Sequence, residues 1–191
     1  MAVAAGATDA RTRILDAALA LMSEQGSAGA SMRQLAAACG LNVATIYHYF
    51  PSKADLLRSV MEERRYGERL SADSPDLDPD VAPQARLAAL IGWIWERALD
   101  EEAVFRLLVG EGLRGEEAAT SSAVEVVDAL AAAIEVWLRA GFPELTGDPA
   151  ALARVIRGQV FALVVEHLAL GGVDLATARS RAAELAAVVF P

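Results

Sequence analysis

The chain has 191 residues, of which 54% are hydrophobic, and its formal net charge at pH 7 is −9. This composition allows a folded core, and 41 alanines against 7 prolines favour helix over strand. The single cysteine excludes an internal disulfide, and no apolar run approaches the roughly 18 residues of a membrane span. The first residues lack the basic and apolar pattern of a leader, so we expect a soluble, cytoplasmic protein without membrane contact. Taken alone, the negative charge also argues against nucleic acid.

The charge is distributed unevenly along the chain. Residues 1–70 contain eight Lys+Arg and seven Asp+Glu, a net of +1, whereas residues 71–191 contain nine and nineteen, a net of −10. No acidic residue occurs between Glu24 and Asp55, an interval that holds Arg33 and the protein's only lysine, Lys53. A carboxylate facing phosphates repels them at short range, so an acid-free surface is compatible with DNA.

Four helices are predicted in the first 70 residues from apolar residues at three- and four-residue spacing. Gly26 ends the first helix, and Ser31 is a suitable N-cap for the second. Gly40 suits the positive φ of a helix end, and Asn42 and Ser52 can cap the next two helices. The predicted ranges are 11–25, 31–38, 43–49 and 52–70.

Residues 71–83 have the composition of a linker, with three prolines and four aspartates. Five longer helical patterns follow, at residues 84–99, 102–113, 116–140, 149–170 and 175–190. No segment shows sustained alternation of apolar and polar residues. We therefore predict an all-α fold of about nine helices. Residues 1–54 form an N-terminal three-helix domain and residues 55–191 a larger helical bundle, with helix 52–70 as the link.

Residues 31–49 have the dimensions of a helix-turn-helix unit, with two short helices around a three-residue turn. Four apolar side chains are spaced to point inward against the first helix, namely Leu35, Leu41, Ile46 and Phe50. The outward side chains of the third helix combine small residues, which permit close approach to a major groove, with rings that can reach bases or phosphates. These outward residues are Val43, Ala44, Thr45, Tyr47 and His48.

Residues 32–57 read MRQLAAACGLNVATIYHYFPSKADLL, and this run closely resembles the DNA-binding domain of TetR-type transcriptional regulators. The strong similarity covers residues 9–57. Cys39 stands where Ala is usual and Ala44 where Gly is common, and both changes are small. The resemblance implies that residues 42–48 form the recognition helix. The candidate DNA-binding residues are Ser31, Arg33, Asn42, Val43, Ala44, Thr45, Tyr47, His48, Tyr49 and Lys53.

The resemblance also implies a variable C-terminal domain that binds a small molecule. The candidate ligand-binding residues are Trp93, Phe105, Trp137, Phe161 and His167, although each aromatic residue is equally consistent with core packing and His167 with a solvated or interface position. Trp93 and Trp95 lie about 200° apart around a helix, so both cannot face one pocket. We expect the effector to be apolar.

The last two predicted helices are apolar over wide arcs, which in a monomer would expose a large patch. The resemblance implies that they pair with the same two helices of a second, twofold-related protomer to form a four-helix bundle. Such a homodimer would present two recognition helices about 34–36 Å apart, matching successive major grooves of double-stranded operator DNA. Small residues would permit close helix approach there, namely Ala162, Ala182, Ala183, Ala186 and Ala187.

Rival functions have weaker support. Residues 110–115 fit the pattern G-x-G-x-x-G, but a dinucleotide site needs a preceding strand in a βαβ unit. The aspartates of residues 71–83 lack the central Gly and terminal Glu of a calcium loop. We predict no enzymatic activity, cofactor or metal site. The predicted function is a ligand-responsive transcriptional repressor that a small molecule releases from its operator, and the alternative is a helical protein-binding adaptor.

Overall fold

The computed structural model describes residues 2–64 and 74–191. Over these residues it contains nine helices and no strand, which confirms the predicted all-α fold. The helices are α1 (Ala2–Gly29), α2 (Met32–Cys39), α3 (Val43–Tyr49), α4 (Lys53–Arg64), α5 (Pro83–Asp100), α6 (Glu102–Leu113), α7 (Glu117–Gly141), α8 (Pro149–Leu170) and α9 (Leu175–Val189).

The largest difference from the predicted bounds is at α1, which begins at Ala2 rather than at residue 11. The prediction rested on apolar periodicity, whereas an alanine-rich stretch favours helix without such a stripe. At Gly26, the predicted end of the first helix, the backbone is non-helical with φ of 73°, and one further helical turn follows up to Gly29. The predicted helix at residues 65–70 and the start of the predicted linker at residues 71–73 lie outside the described residues.

The helices form two compact units. The first contains α1 to α4 together with residues 103–123, and the second contains residues 66–102 and 124–191. This grouping differs from the contiguous division after residue 54, because most of α6 packs with the N-terminal helices. A hydrogen-bonded contact between Ser27 and Glu111, 84 positions apart in sequence, joins these two parts of the first unit.

In the first unit, α1 packs against α2 and α4, and α2 packs against α3. Its core combines apolar residues from all four helices and from the segment after α3. The side chains at its centre are all at most 3% exposed: Ile14, Ala18, Leu35, Ile46, Phe50 and Leu56.

In the second unit, α5 packs along α9 and also contacts α8. One face of α5 is fully buried, with Leu87, Leu90, Ile91, Ile94 and Trp95 all inaccessible to solvent. Alanines at four-residue spacing on α9 are fully buried as well, namely Ala178, Ala182 and Ala186. The prediction that Ala182 and Ala186 lie between two protomers is therefore wrong, since both lie in the protomer's own core.

A buried arginine joins the ends of several helices in the second unit. Arg86 is 2% exposed and donates to Glu144 Oε1 at 2.7 Å and to the carbonyl oxygen of Pro79 at 3.3 Å. Its guanidinium lies 5.0 Å from the ring centroid of Phe142, which stacks on Phe190. A buried charge is costly unless it is paired, so Glu144 compensates the guanidinium.

None of the helices within the described ranges combines the length and apolar character needed to cross a bilayer.

The Arg86–Glu144 pair makes stability depend on pH. Hydrogen bonds from its own backbone amide and from Arg86 hold the pKa of the Glu144 carboxyl below its ordinary value of 4.5. A carboxyl group with a lowered folded-state pKa stabilises the fold above the unfolded-state pKa, and this contribution is lost as the pH falls through the folded-state pKa. We therefore expect Glu144→Gln to reduce the free energy of unfolding at pH 7, with a difference from wild type that shrinks below pH 4.5.

Urea unfolding followed by circular dichroism over this pH range measures the difference. The matched control is Glu125→Gln, at an exposed position of α7 in the same unit. A Glu144→Gln effect that is independent of pH, or equal to that of the control, would contradict the expectation.

Candidate nucleic-acid interface

Local hydrogen bonds define both short helices of the helix-turn-helix unit. At the start of α2, the Ser31 hydroxyl accepts from the backbone N–H of Gln34, and the Gln34 side chain accepts from the backbone N–H of Ser31. This reciprocal capping box satisfies two donors that a helix start leaves unpaired. Gly40 ends α2 in the left-handed region at φ of 64°, as its position predicted.

The third helix starts at an asparagine cap. The Oδ1 atom of Asn42 accepts from the backbone N–H of Thr45 at 2.7 Å and from the Thr45 hydroxyl at 3.0 Å. Ile46 is fully buried and Phe50 is 2% exposed, whereas Leu41 is half-buried. These anchors fix which side of α3 faces the core, and the opposite side therefore faces outward.

The ten predicted DNA-binding residues all lie at the surface of the first unit. They come from the start of α2, from α3 with its cap, and from the first turn of α4. Six are exposed: Ser31, Arg33, Asn42, Ala44, Tyr47 and His48. Four are half-buried: Val43, Thr45, Tyr49 and Lys53.

Several of these side chains already have partners within the protein. The Thr45 hydroxyl hydrogen is directed to Asn42, so Thr45 can offer DNA its methyl group and its oxygen lone pairs. The His48 and Tyr49 rings meet edge to face, with their centroids 5.6 Å apart. Tyr47 is 48% exposed, so its ring is accessible on this surface.

Lys53 is bound to backbone carbonyl groups at the end of α1. Its Nζ atom lies 3.3 Å from both the Ala28 and the Ala30 carbonyl oxygens. An ammonium group has three N–H donors, so these two hydrogen bonds leave one donor available for a phosphate oxygen.

Two arginines that the sequence interpretation did not select hold the unit together. The guanidinium of Arg13 donates to the carbonyl oxygen of Cys39 at the end of α2, at 2.8 Å. Arg11 lies over the ring of Phe50, 5.2 Å from its centroid. Cys39 itself is buried, and burial raises the pKa of its thiol above the ordinary 9.0, so it behaves as a small apolar residue. No local pattern around Arg11 or Arg13 predicts these contacts.

The predicted ligand-binding residues occupy different surroundings. Trp93 and Trp137 meet edge to face at 5.3 Å, with Trp93 half-buried and Trp137 only 7% exposed. Phe105 belongs to α6 in the first unit, and Phe161 is 52% exposed on α8. The structure therefore brings Trp93 and Trp137 together.

His167 contacts the other tryptophan of α5. Its ring lies edge to face with Trp95 at 5.6 Å, its Nδ1 atom is 3.2 Å from the carbonyl oxygen of Val173, and its Nε2 atom is 3.6 Å from Glu102 Oε2. Trp93 and Trp95 thus have different neighbours, in agreement with their angular separation on one helix.

The glycine motif at residues 110–115 has no nucleotide-binding context. It begins inside α6, which runs to Leu113, and a turn follows. Since residues 102–113 form a helix, the strand that a dinucleotide loop requires is missing at this place. In the parts of the chain that the structure describes, no three His, Cys, Asp or Glu side chains are grouped as metal ligands.

The geometry of residues 31–49 defines a helix-turn-helix protein. A family model for bacterial regulatory proteins of the tetR family matches residues 14–60. The transcriptional repressor KstR of Rhodococcus jostii (strain RHA1) is 35% identical over 148 residues, which are 76% of this chain and 66% of KstR. The chain thus spans just under two thirds of the length of that relative.

Solved structures share the whole fold. A TetR-family transcriptional regulator from Agrobacterium tumefaciens has a TM-score of 0.70 at 22% identity, covering 95% of this chain and 98% of its own. FadR from Bacillus subtilis, solved in complex with stearoyl-CoA, has a TM-score of 0.63 at 20% identity, covering 92% and 96%. At these identities the likeness shows the fold alone. The sequence matches place residues 14–60 in the tetR family, and the solved structures share the fold of the whole chain.

Proposed function

We propose that this protein is a ligand-responsive, DNA-binding transcriptional repressor that works as a homodimer in the cytoplasm, and that it is not an enzyme. The main observation behind this proposal is the outward face of α3, where Thr45, Tyr47 and His48 lie on a helix that is capped at its start and anchored in the core. These residues belong to an interval, residues 25–54, that contains no Asp or Glu. The family membership and the repressor KstR as a relative support the same function.

In this proposal, α3 enters the major groove and the residues around it contact phosphates. Arg33 and Lys53 are the cations of the acid-free interval, and phosphate contacts of this kind fix the register of the protein on the duplex. Side chains of residues 43–48 then contact the edges of the bases. Since residues 1–70 carry a net charge of only +1, affinity depends on a few aligned contacts, and non-specific binding is weak.

Tyr47 tests the DNA contact. We expect wild-type protein to bind the DNA upstream of its own gene more tightly than unrelated DNA, with an affinity that falls as salt rises. Tyr47→Ala should weaken this binding by about tenfold or more, corresponding to about 1.4 kcal/mol, because it removes an exposed contact without disturbing the core. Fluorescence anisotropy with labelled duplexes measures both dissociation constants.

The matched control is Val136→Ala, at a 63% exposed position on α7 in the second unit. The variant Tyr47→Phe distinguishes the contribution of the hydroxyl group to DNA affinity from that of the aromatic ring. The alternative of a helical protein-binding adaptor predicts that wild type shows no sequence-preferring, salt-sensitive binding and that Tyr47→Ala changes nothing.

The proposed dimer interface is the outer face of α8 and α9. These two helices are joined by the ion pair of Arg181 with Glu166, at 2.6 and 2.9 Å. Their outer side chains include large apolar residues that are more than half exposed, and exposed alanines that permit close approach. The large ones are Val155, Phe161, Leu170 and Val188, and the alanines are Ala162, Ala183 and Ala187. Phe161 is therefore assigned to the interface rather than to the effector site.

A charge in this face should break the dimer. We expect Phe161→Glu combined with Val188→Glu to convert the protein to a folded monomer, because two glutamates per protomer would be buried without partners. Light scattering coupled to gel filtration measures the mass. DNA affinity should fall at the same time, since two recognition helices no longer bind one operator. A variant that stays dimeric excludes this interface, and Val136→Glu controls for an added surface charge.

The proposed effector is an apolar small molecule that binds in the second unit beside the Trp93–Trp137 pair. Two adjacent indole rings offer an apolar wall, and the FadR structure was solved with an acyl-CoA, which carries a long apolar chain. The protein is released from the operator if the effector binds more tightly to a conformation in which the two recognition helices do not fit the operator.

In this proposal, residues 1–54 bind DNA, and residues 55–191 bind the effector and form the dimer.

Effector binding and DNA release should be coupled. Stearoyl-CoA, stearate and a panel of smaller apolar compounds can be screened by thermal shift, and any compound that raises the Tm should lower operator affinity. We expect Trp93→Phe to reduce the thermal shift, whereas Trp95→Phe, on another side of the same helix, should leave it in place. A compound that stabilises the protein yet leaves operator affinity unchanged would refute the coupling.

A further inference from the structure

The last turn of α1 is separated from the rest of that helix. At Gly26 the backbone has φ of 73° and ψ of 160°, so the helical hydrogen bonding is interrupted there. It resumes when the backbone N–H of Ala30 donates to the carbonyl oxygen of Gly26, at 3.2 Å. Residues 27–30 therefore form a separate helical turn with a start and an end of its own. This turn leads directly into Ser31, the cap of α2.

The start of this turn is capped by a side chain from α6. Glu111 accepts from the Ser27 backbone N–H at 2.8 Å through Oε1 and from the Ser27 hydroxyl at 2.6 Å through Oε2. Its carboxylate also pairs with Arg114 at 2.8 Å, and the residue is only 1% exposed. A negative group at a helix start is favourable, because the first N–H groups there have no partners in the helix.

The glycine at the break suits the local backbone conformation and has Arg114 close by. Positive φ disfavours any other residue, and a Cβ atom at Gly26 would lie 3.2–3.3 Å from the guanidinium atoms of Arg114. The Arg114 side chain is 55% exposed and can shift, so the positive φ is the stronger reason for glycine at this position. Gly26, Ser27, Glu111 and Arg114 form one packed group.

The end of the turn is closed by a cation from α4. Lys53 donates to the carbonyl oxygens of Ala28 and Ala30, both at 3.3 Å. A positive group at a helix end complements the partial negative charge of the last carbonyl groups. One helical turn is therefore held by Glu111 at its start and by Lys53 at its end.

We propose that Glu111 is a positioning residue for DNA binding, which fixes the last turn of α1 and thereby sets the orientation of α2 and α3. The proposal rests on the DNA-binding function proposed above. Glu111 continues the apolar stripe of Val104, Leu107 and Leu108 on α6, at a position where an apolar residue would pack more cheaply than a buried carboxylate. A shift of α6 is transmitted through this carboxylate to Ser27 and from there to the start of α2.

The test uses the full-length protein with Glu111→Gln, Ser27→Ala and the double variant. Gln keeps the shape of the side chain but loses the charge, and Ser27→Ala is the milder change that keeps the fold intact. The control is Glu116→Gln, an exposed glutamate just beyond α6. All dissociation constants are measured at a temperature at which circular dichroism shows that each variant is fully folded. The concentration of protein competent to bind DNA is first determined by stoichiometric titration with operator DNA.

We expect each single variant to weaken operator binding by about tenfold, while the slope of log affinity against log salt stays at the wild-type value because no phosphate contact is lost. The double variant should be no weaker than Glu111→Gln, since both changes break one interaction. A purely stabilising role would lower the Tm but leave the affinity of the folded protein unchanged. Wild-type affinity in both single variants, or a changed salt slope, overturns the proposal.

Hydrogen exchange in the absence of DNA gives a second, independent measurement. The amides of residues 27–49 should exchange at least tenfold faster in Glu111→Gln than in wild type, with α8 and α9 unchanged. Equal exchange in residues 27–49 overturns the positioning role. If wild type itself fails to bind DNA with sequence preference, the proposed function is refuted, and the exchange data still decide whether Glu111 fixes α2 and α3.

Discussion

Helix α3 has seven residues, which is too short to be stable in water by itself. It exists because Asn42 caps its start and Ile46 is inserted fully into the core of the first unit. The same two constraints determine which side chains face outward, so the proposed reading surface is a consequence of how α3 is anchored. Displacement of Ile46 or loss of the cap would therefore destabilise both the helix and its orientation.

The distribution of charge fits this arrangement. The net charge of −10 lies in residues 71–191, whereas the helix-turn-helix residues belong to a nearly neutral segment with no acid between Glu24 and Asp55. An overall charge of −9 is thus compatible with DNA binding, because the repulsion of phosphates depends on which charges lie close to them. Such a protein gains its affinity from shape and alignment more than from a general attraction to polyanions.

Helix α9 carries small residues both in the core of the second unit and at the exposed surface. Ala178, Ala182 and Ala186 are fully buried in the second unit, where α5 packs alongside. Ala183 and Ala187, each about 100° around the helix from the preceding buried alanine, are exposed near the large apolar Val188. Composition alone cannot separate the two sets, since an alanine stripe is compatible with either a core or an interface.

The features that depend on neighbouring residues could be predicted from the sequence. Capping side chains, the left-handed Gly40 and the three- to four-residue apolar spacing specify the helices and the outward face of α3, because each acts within a few positions. Three further features could not be predicted in this way: the grouping of α6 with the N-terminal helices, the Ser27–Glu111 contact and the binding of Lys53 to the end of α1. These contacts join residues 23 to 84 positions apart, and they depend on how whole helices pack, which local propensity does not encode.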